Sequence, residues 1–249
     1  LHLTVGSDVN PLHTDNFEEV SFGPILYGAK KLGMHIHTRY EVSNNAGQDI
    51  CDIVNNEGFD FLLVGSGISM SDSPDDIAAT RYRTSFYNRY FKRFKAPESW
   101  FYPGALLKDK TKMFIARSNC DVGAFINRNF VKATHTMVVI SSEEDLFLLD
   151  YTRTLLKATH GSVGIVAKMS TTTPGHDQIL KELWDFVSST PQTQLLPDKD
   201  LTPGLFNSYN FMLIGYNTWN DVSEHRKEAL QKMPSTLILN KNKRSSSDN

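Results

Sequence analysis

Cysteine is scarce in this chain of 249 residues: there are two, Cys51 and Cys120. They stand in no C-x-x-C spacing, which leaves out a disulfide framework and a zinc ribbon. With no signal peptide visible, they fit a reducing compartment. Long apolar runs are missing as well, since no stretch approaches the roughly 18 to 20 residues needed to cross a bilayer. Basic charge is not in excess either: 26 Lys and Arg stand against 28 Asp and Glu, a formal net charge of −2. A general nucleic-acid binder is usually strongly basic, so nucleic acid is not an expected partner. A nucleophile elbow is also lacking, because Val64-Gly65-Ser66-Gly67 brings its second glycine too early for Gly-x-Ser-x-Gly. Cys51 on an apolar helical face and Cys120 just before a strand read as core thiols. An enzyme is therefore not expected.

What the sequence does have is an internal echo. Phe59 to Gly67, FDFLLVGSG, is a short apolar strand running into Gly-Ser-Gly, and Tyr209 to Asn217 reads YNFMLIGYN. Asp60-Phe61-Leu62-Leu63-Val64-Gly65 is answered position by position by Asn210-Phe211-Met212-Leu213-Ile214-Gly215. Each copy is followed by a segment that reads as helix and then by a β-rich run, Val122 to Asn127 and Thr236 to Asn240. Domains commonly hold about 100–150 residues, so the chain has room for two cores. The expectation is two related repeats, residues 1–130 and 131–240, ahead of a disordered tail over 241–249.

In chain order, Leu1 to Val5 reads as a strand and Phe17 to Leu32 as a helix stopped at Gly33, so the chain opens inside a fold. His35 to Val42 reads as a strand; Ala46 to Asn56 is a helix with Ile50, Ile53 and Val54 on one face. After Gly67 the pattern breaks, and residues of about 68–102 read as an insertion. Within it, Arg81 to Lys95 sets Arg81, Arg83, Arg89, Lys92, Arg93 and Lys95 among six aromatic rings. Pro103 to Ala116 reads as helix and Cys120 to Asn127 as the closing strand. The second repeat begins with a strand, Thr134 to Ile140. A capped acidic turn, Ser141-Ser142-Glu143-Glu144, then leads into a helix over Asp145 to Thr159 with Leu146, Leu149, Tyr151, Leu155 and Leu156 as apolar contacts. A strand over Ser162 to Lys168 follows, then a helix over Gln178 to Val187 with Ile179, Leu180, Leu183, Trp184 and Val187 inward. Pro191 to Asn207 is irregular with one short strand near Gln194 to Leu196. After the echo strand come a polar turn, a helix near Val222 to Met233 and the last strand, Ser235 to Asn240. Strands alternating with helices through short connections predict an α/β fold with mostly parallel sheets flanked by helices.

Four stretches carry a family resemblance through their order along the chain: Leu1-His2-Leu3, the run AGQDICDIVNNEGFDFLLVGSG from Ala46 to Gly67, NCDVGAFINRN from Asn119 to Asn129, and VVISSEEDLFLL from Val138 to Leu149. Together they resemble the carboxy-terminal cytosolic region of fungal potassium/proton antiporters, similar to plant cation/proton exchangers, which carries universal-stress-protein-like folds. The first strand and helix of repeat one are missing from that pattern. The resemblance implies a regulatory domain of a monovalent cation/proton antiporter on the cytosolic face of a Golgi or endosomal membrane. Its partner would be the membrane domain of the same protein, and a homodimer fits related folds. The alternative is a free-standing universal-stress-protein-like binder of ATP or AMP.

Three sets of site residues follow. Gly65, Ser66, Gly67, Gly104 and Ala105 are the candidate contacts for an adenine nucleotide, since close backbone approach and free N–H groups suit phosphate. In universal stress proteins that bind nucleotide the glycines are more widely spaced, and Ala105 lacks the usual hydroxyl. The bland reading is that the glycines only let the chain leave a sheet. The basic residues from Arg81 to Lys95 are candidates for an anionic membrane surface or a partner, set against the reading that the rings pack and the charges are solvated. His35 and His37, on one face of the expected strand, are candidate pH sensors; a metal site there would lack neighbouring ligands.

Overall fold

The computed structural model describes residues 2–5, 14–43, 45–65, 111–169, 174–197, 201–225 and 232–242. The described residues up to Ile53 fall in one compact unit and those from Val54 onward in a larger one.

In the smaller unit β1 (His2–Val5) runs parallel to β2 (Tyr40–Ser43), with His2 opposite Tyr40 and Val5 opposite Ser43. Between them lies α1 (Thr14–Lys31), which buries Phe22 and Ala29. Gly33 ends it with a positive φ of 67°, which only glycine adopts at no steric cost. There the N–H groups of Gly33 and Met34 reach back to the carbonyls of Lys30 and Ala29. α2 (Ala46–Glu57) starts at Asn45, whose side-chain oxygen accepts from the Gln48 N–H at 3.3 Å. Its apolar face buries Ile50, Cys51 and Val54.

The larger unit holds a sheet of seven strands in the order β3 (Phe61–Gly65), β4 (Asp121–Ile126), β9 (Ser235–Asn240), β8 (Phe211–Gly215), β5 (His135–Ile140), β6 (Ser162–Ala167), β7 (Thr193–Pro197). Every neighbouring pair is parallel except β4 and β9. Strands buried on both faces read as continuous apolar runs, and β5 and β8 do: Met137 and Val139 face one core with Met212 and Ile214, while Val138 and Ile140 face the other with Phe211 and Leu213. α4 (Leu148–Thr159) and α5 (His176–Ser189) cover the second face with Leu148, Leu149, Leu156, Ile179, Leu183 and Phe186. Phe206 of the short α6 (Pro203–Phe206) and Trp219 and Val222 of α7 (Tyr216–His225) cover the first. Residues 111–117 form α3, and Asn55 bonds the Arg117 carbonyl and the Asn119 N–H, at 2.8 and 2.7 Å, on the way into β4.

The echo in the sequence is also an echo in pairing. Phe61 lies opposite Asp121 in β3–β4 as Phe211 lies opposite Ser235 in β8–β9, and Gly65 and Gly215 sit at the same place in their ladders. At the antiparallel seam Ala124 pairs with Ile238, its own counterpart, and Gly123–Leu239 and Phe125–Leu237 exchange with each other. The two strand pairs are thus related by a local two-fold axis through the β4–β9 seam. Close packing there is tight: a Cβ on Gly123 would come 2.6 Å from Cζ of Phe61.

Several expectations are corrected. Residues 34–39 have no regular structure, and the second strand begins only at Tyr40, where β1 offers a partner. The helix expected from Asp145 begins at Leu148, because Glu143–Asp145 forms a 3-10 turn that sends the Asp145 side chain back toward β5. The helix expected near Val222 starts at Tyr216, directly from β8 with no turn between. Trp184 faces outward, 53% exposed, and Phe186 takes the inward place. Lys241 and Asn242 were expected in a disordered tail, yet Asn242 donates from its N–H to Asp121 at 2.7 Å and from its amide to the Ser118 carbonyl at 2.9 Å. β3 is the outermost of the seven described strands. The insertion of about 68–102 and residues 243–249 lie outside the described residues.

Candidate functional site

From β5 the chain winds outward to β6 and β7, then returns to the other side of β5 as β8. The direction reverses between β5 and β8, and in open parallel sheets ligands sit in the crevice beyond the carboxyl ends of the strands at such a reversal. Here those ends are Ile140, followed by Ser141 and Ser142, and Gly215, followed at once by the first residue of α7, Tyr216. A helix N-terminus exposes N–H groups and a partial positive charge, so it suits an anion.

That anion position is filled by the chain's own Asp145. Its side chain is buried, 2% exposed, and Oδ2 accepts from the Ser141 N–H at 2.8 Å, the Ser142 N–H at 3.2 Å and the Thr218 hydroxyl at 2.6 Å. The Ser141 hydroxyl lies 3.2 Å from the same oxygen and 2.5 Å from the Thr218 hydroxyl. The other carboxylate oxygen presses on Gly215: a Cβ built there would collide with Asp145 Oδ1. Beside it, the Asn217 amide donates to Glu144 at 2.7 Å. A buried carboxylate is tolerable because its acceptors are matched by donors. Chemically the arrangement is a closed clasp between the turn after β5 and the start of α7. A phosphate would have to displace one carboxylate and meet a second.

The counterpart at Gly65 differs. Among the described residues, a Cβ added there would meet nothing within 4 Å. Of the residues proposed for nucleotide, only Gly65 is described; Ser66, Gly67, Gly104 and Ala105 lie outside the described residues, as do Arg81, Arg83, Arg89, Lys92, Arg93 and Lys95. His35 and His37 are exposed in the irregular stretch before β2, alternating with the exposed Met34 and Ile36. They do not share the face of a strand.

A second polar cluster was not foreseen. At the start of β4, Asp121 accepts from the Tyr151 hydroxyl of α4 at 2.8 Å and from the Asn242 N–H. Burial, reinforced by the hydrogen bond to Asp121 and its negative charge, pushes the Tyr151 hydroxyl far above its usual titration range. The signal for the first cluster was present but read otherwise. Locally, Ser141-Ser142-Glu143-Glu144 reads as a capped turn ahead of a helix from Asp145, and Asn217-Thr218 as a polar turn, because nothing local says that two segments 73 residues apart meet.

No protein-family model and no curated protein matches the chain. Solved structures do. A universal stress protein from Archaeoglobus fulgidus superposes with a TM-score of 0.51 at 10% identity, over 98% of this chain and 85% of that one. A protein of unknown function from Pseudomonas aeruginosa gives 0.51 at 10% identity, over 96% and 81%. At that identity the likeness speaks to architecture: the chain has the mixed α/β fold of the universal stress proteins, a mostly parallel seven-stranded sheet flanked by helices.

Proposed function

We propose that this chain is a regulatory cytosolic module of a membrane potassium/proton antiporter, built of two universal-stress-protein-like repeats over 1–130 and 131–240, which senses rather than catalyses. The observation that carries the reading is the inequality of the two equivalent strand ends: Gly215 is shut by Asp145, whereas a side chain at Gly65 would meet none of the described residues within 4 Å. A clasp of this kind in the second repeat serves to hold a shape, and leaves the first repeat to read a ligand. The ligand class proposed there is an adenine nucleotide, with Gly65, Ser66, Gly67, Gly104 and Ala105 as its contacts. Membrane or partner contact is assigned to the basic residues between Arg81 and Lys95, and proton sensing to His35 and His37. The remaining partners proposed are the antiporter's own membrane domain and a second copy of the chain, at a Golgi or endosomal membrane.

Two measurements test this. Titration calorimetry with ATP and AMP should give binding that Gly65→Val abolishes and Asn217→Ala leaves unchanged; equal loss in both variants would sink the assignment to the Gly65 end. In cells, the polypeptide carrying this sequence should stay with intracellular membranes through alkaline carbonate extraction. A soluble species near 28.1 kDa would favour the alternative, a free-standing nucleotide-binding protein, for which the likeness to a universal stress protein over nearly the whole chain speaks.

A further inference from the structure

β1–α1–β2 and β6–α5–β7 are both parallel strand–helix–strand units, and they differ in how the helix hands over to the second strand. In the latter, α5 ends at Ser189 and β7 starts at Thr193, so residues 190–192, Thr-Pro-Gln, suffice. In the former, residues 32–39, Leu-Gly-Met-His-Ile-His-Thr-Arg, lie between Lys31 and Tyr40. The longer connection is apolar at alternate positions, and those side chains stand in water: Leu32 is 74% exposed, Met34 60% and Ile36 40%. A single exposed apolar residue needs no explanation, but a cluster of them on a connection does. Among the described residues, six of the eleven large apolar side chains that are exposed fall within residues 25–36. The turn is held in place at its start. The N–H groups of Gly33 and Met34 bond the carbonyls of Lys30 and Ala29 at 3.2 and 2.9 Å, which fixes the direction in which the chain leaves α1.

We propose that this turn, Leu32, Met34 and Ile36 with Lys30 and Lys31 at its base, docks on the surface of an anionic phospholipid bilayer. Charge selects the occupant. The chain as a whole carries a net charge of −2, yet no Asp or Glu stands between Glu19 and Glu41, while Lys30, Lys31 and Arg39 do. Neither Lys30 nor Lys31 has a carboxylate partner among the described residues. Apolar side chains on an exposed turn enter the boundary between headgroups and acyl chains without a pocket shaped to receive them. The long lysine stems let the ammonium groups stay among the headgroup phosphates. Anionic lipid draws each cation to the surface, and stable attachment takes both the apolar and the charged contribution. Tyr27, 73% exposed and four residues before Lys31 on the same side of α1, adds a ring of the kind that sits at headgroup level. The contact is separate from the one assigned to Arg81–Lys95. It depends neither on a nucleotide at Gly65 nor on attachment to an antiporter.

The test sediments the full chain with vesicles of phosphatidylcholine alone, or of phosphatidylcholine and phosphatidylserine in equal parts. Binding should be at least about tenfold stronger to the mixed vesicles. Leu32→Ser combined with Met34→Ser and Ile36→Ser should weaken it at least about tenfold, and so should Lys30→Glu combined with Lys31→Glu. All five side chains are exposed, so both variants should keep the circular dichroism of the parent. To locate the contact, Met34→Cys carries an environment-sensitive fluorophore, Cys51 and Cys120 being buried. Its emission should shift to the blue on the mixed vesicles and be quenched by nitroxide-labelled lipid. Nucleotide titration of the same variants should be unchanged, so failure here leaves the reading of Gly65 standing. Three results would overturn the proposal. One is no binding to the mixed vesicles. Another is equal binding by the triple-serine variant, which would hand the contact to Arg81–Lys95. The third is self-association without lipid that the triple-serine variant abolishes, which would make a second copy of the chain the occupant.

Discussion

β3 and β8 carry nearly the same residues, Phe-Leu-Leu-Val-Gly against Phe-Met-Leu-Ile-Gly, at the same register against β4 and β9, and end in different surroundings. All five residues of β8 are buried; in β3 none is, and Leu63 and Gly65 are exposed. Against Gly215 stands a carboxylate, and against Gly65 none of the described residues comes within 4 Å of where a Cβ would be. Local sequence can specify that a segment is a strand and which of its residues alternate between faces. Whether those faces are dry depends on what else arrives: β5 and α4 for β8, and no counterpart among the described residues for β3. The same contrast separates the two glycines. At Gly215 the missing Cβ makes room for Asp145, and at Gly65 it makes room for nothing yet identified.

The largest expected break in this comparison is at the matched leucines. Leu213→Ala should cost about 3 kcal/mol of stability, from lost burial and the cavity left behind, whereas Leu63→Ala should stay within about 0.5 kcal/mol. Urea midpoints of the two variants measure the gap, and equal shifts would mean that the outer face of β3 is covered. Next comes the clasp. Asp145→Ala leaves the Ser141 and Ser142 N–H groups without their acceptor and should cost about 2 kcal/mol, with the amides at the start of α7 exchanging faster. The glycines follow. Gly215→Ala forces the Asp145 carboxylate aside and should cost about 1–2 kcal/mol, while Gly65→Ala should be close to neutral because its Cβ finds room; thermal melts of the pair check this.

The smallest effect is at high pH. The Tyr151 hydroxyl is held protonated in the folded chain to well above its ordinary pKa of 10.0. Once the pH passes that ordinary value, the unfolded chain releases this proton and the folded chain keeps it, so stability falls as pH rises. Tyr151→Phe should flatten that decline when urea midpoints are followed from pH 9 to about 11, an effect legible as a smaller slope rather than as a change at neutral pH.

Much of the architecture was legible because it rests on short-range chemistry. The apolar runs of β5, β6 and β8 and the Gly33 stop of α1 each announce themselves within a few residues. Where local pattern and structure differ, a distant partner decides the matter. His35 to Val42 alternates well enough to be a strand, and the part that is one, from Tyr40 on, is the part paired with β1. Tyr216 to Asp221 looks like a polar turn until Thr218 and Asn217 are seen spending their polar groups on Asp145 and Glu144, which leaves Trp219 and Val222 free to enter the core. Trp184 and Phe186 both fit an amphipathic helix, and only the position of the sheet chose between them.

By itself the sequence determined most of the strands and helices and the echo of Phe61–Gly65 in Phe211–Gly215, since periodicity, caps and matched runs are local properties. Only the tertiary structure decided that the two closing strands meet antiparallel across a two-fold at Ala124 and Ile238, that Asp145 closes the switch point at Gly215, and that β3 is an edge. The physical reason is common to all three. Strand pairing and burial of a charge are contacts between residues far apart along the chain, and their favourable energy depends on what surrounds a segment as well as on what it contains.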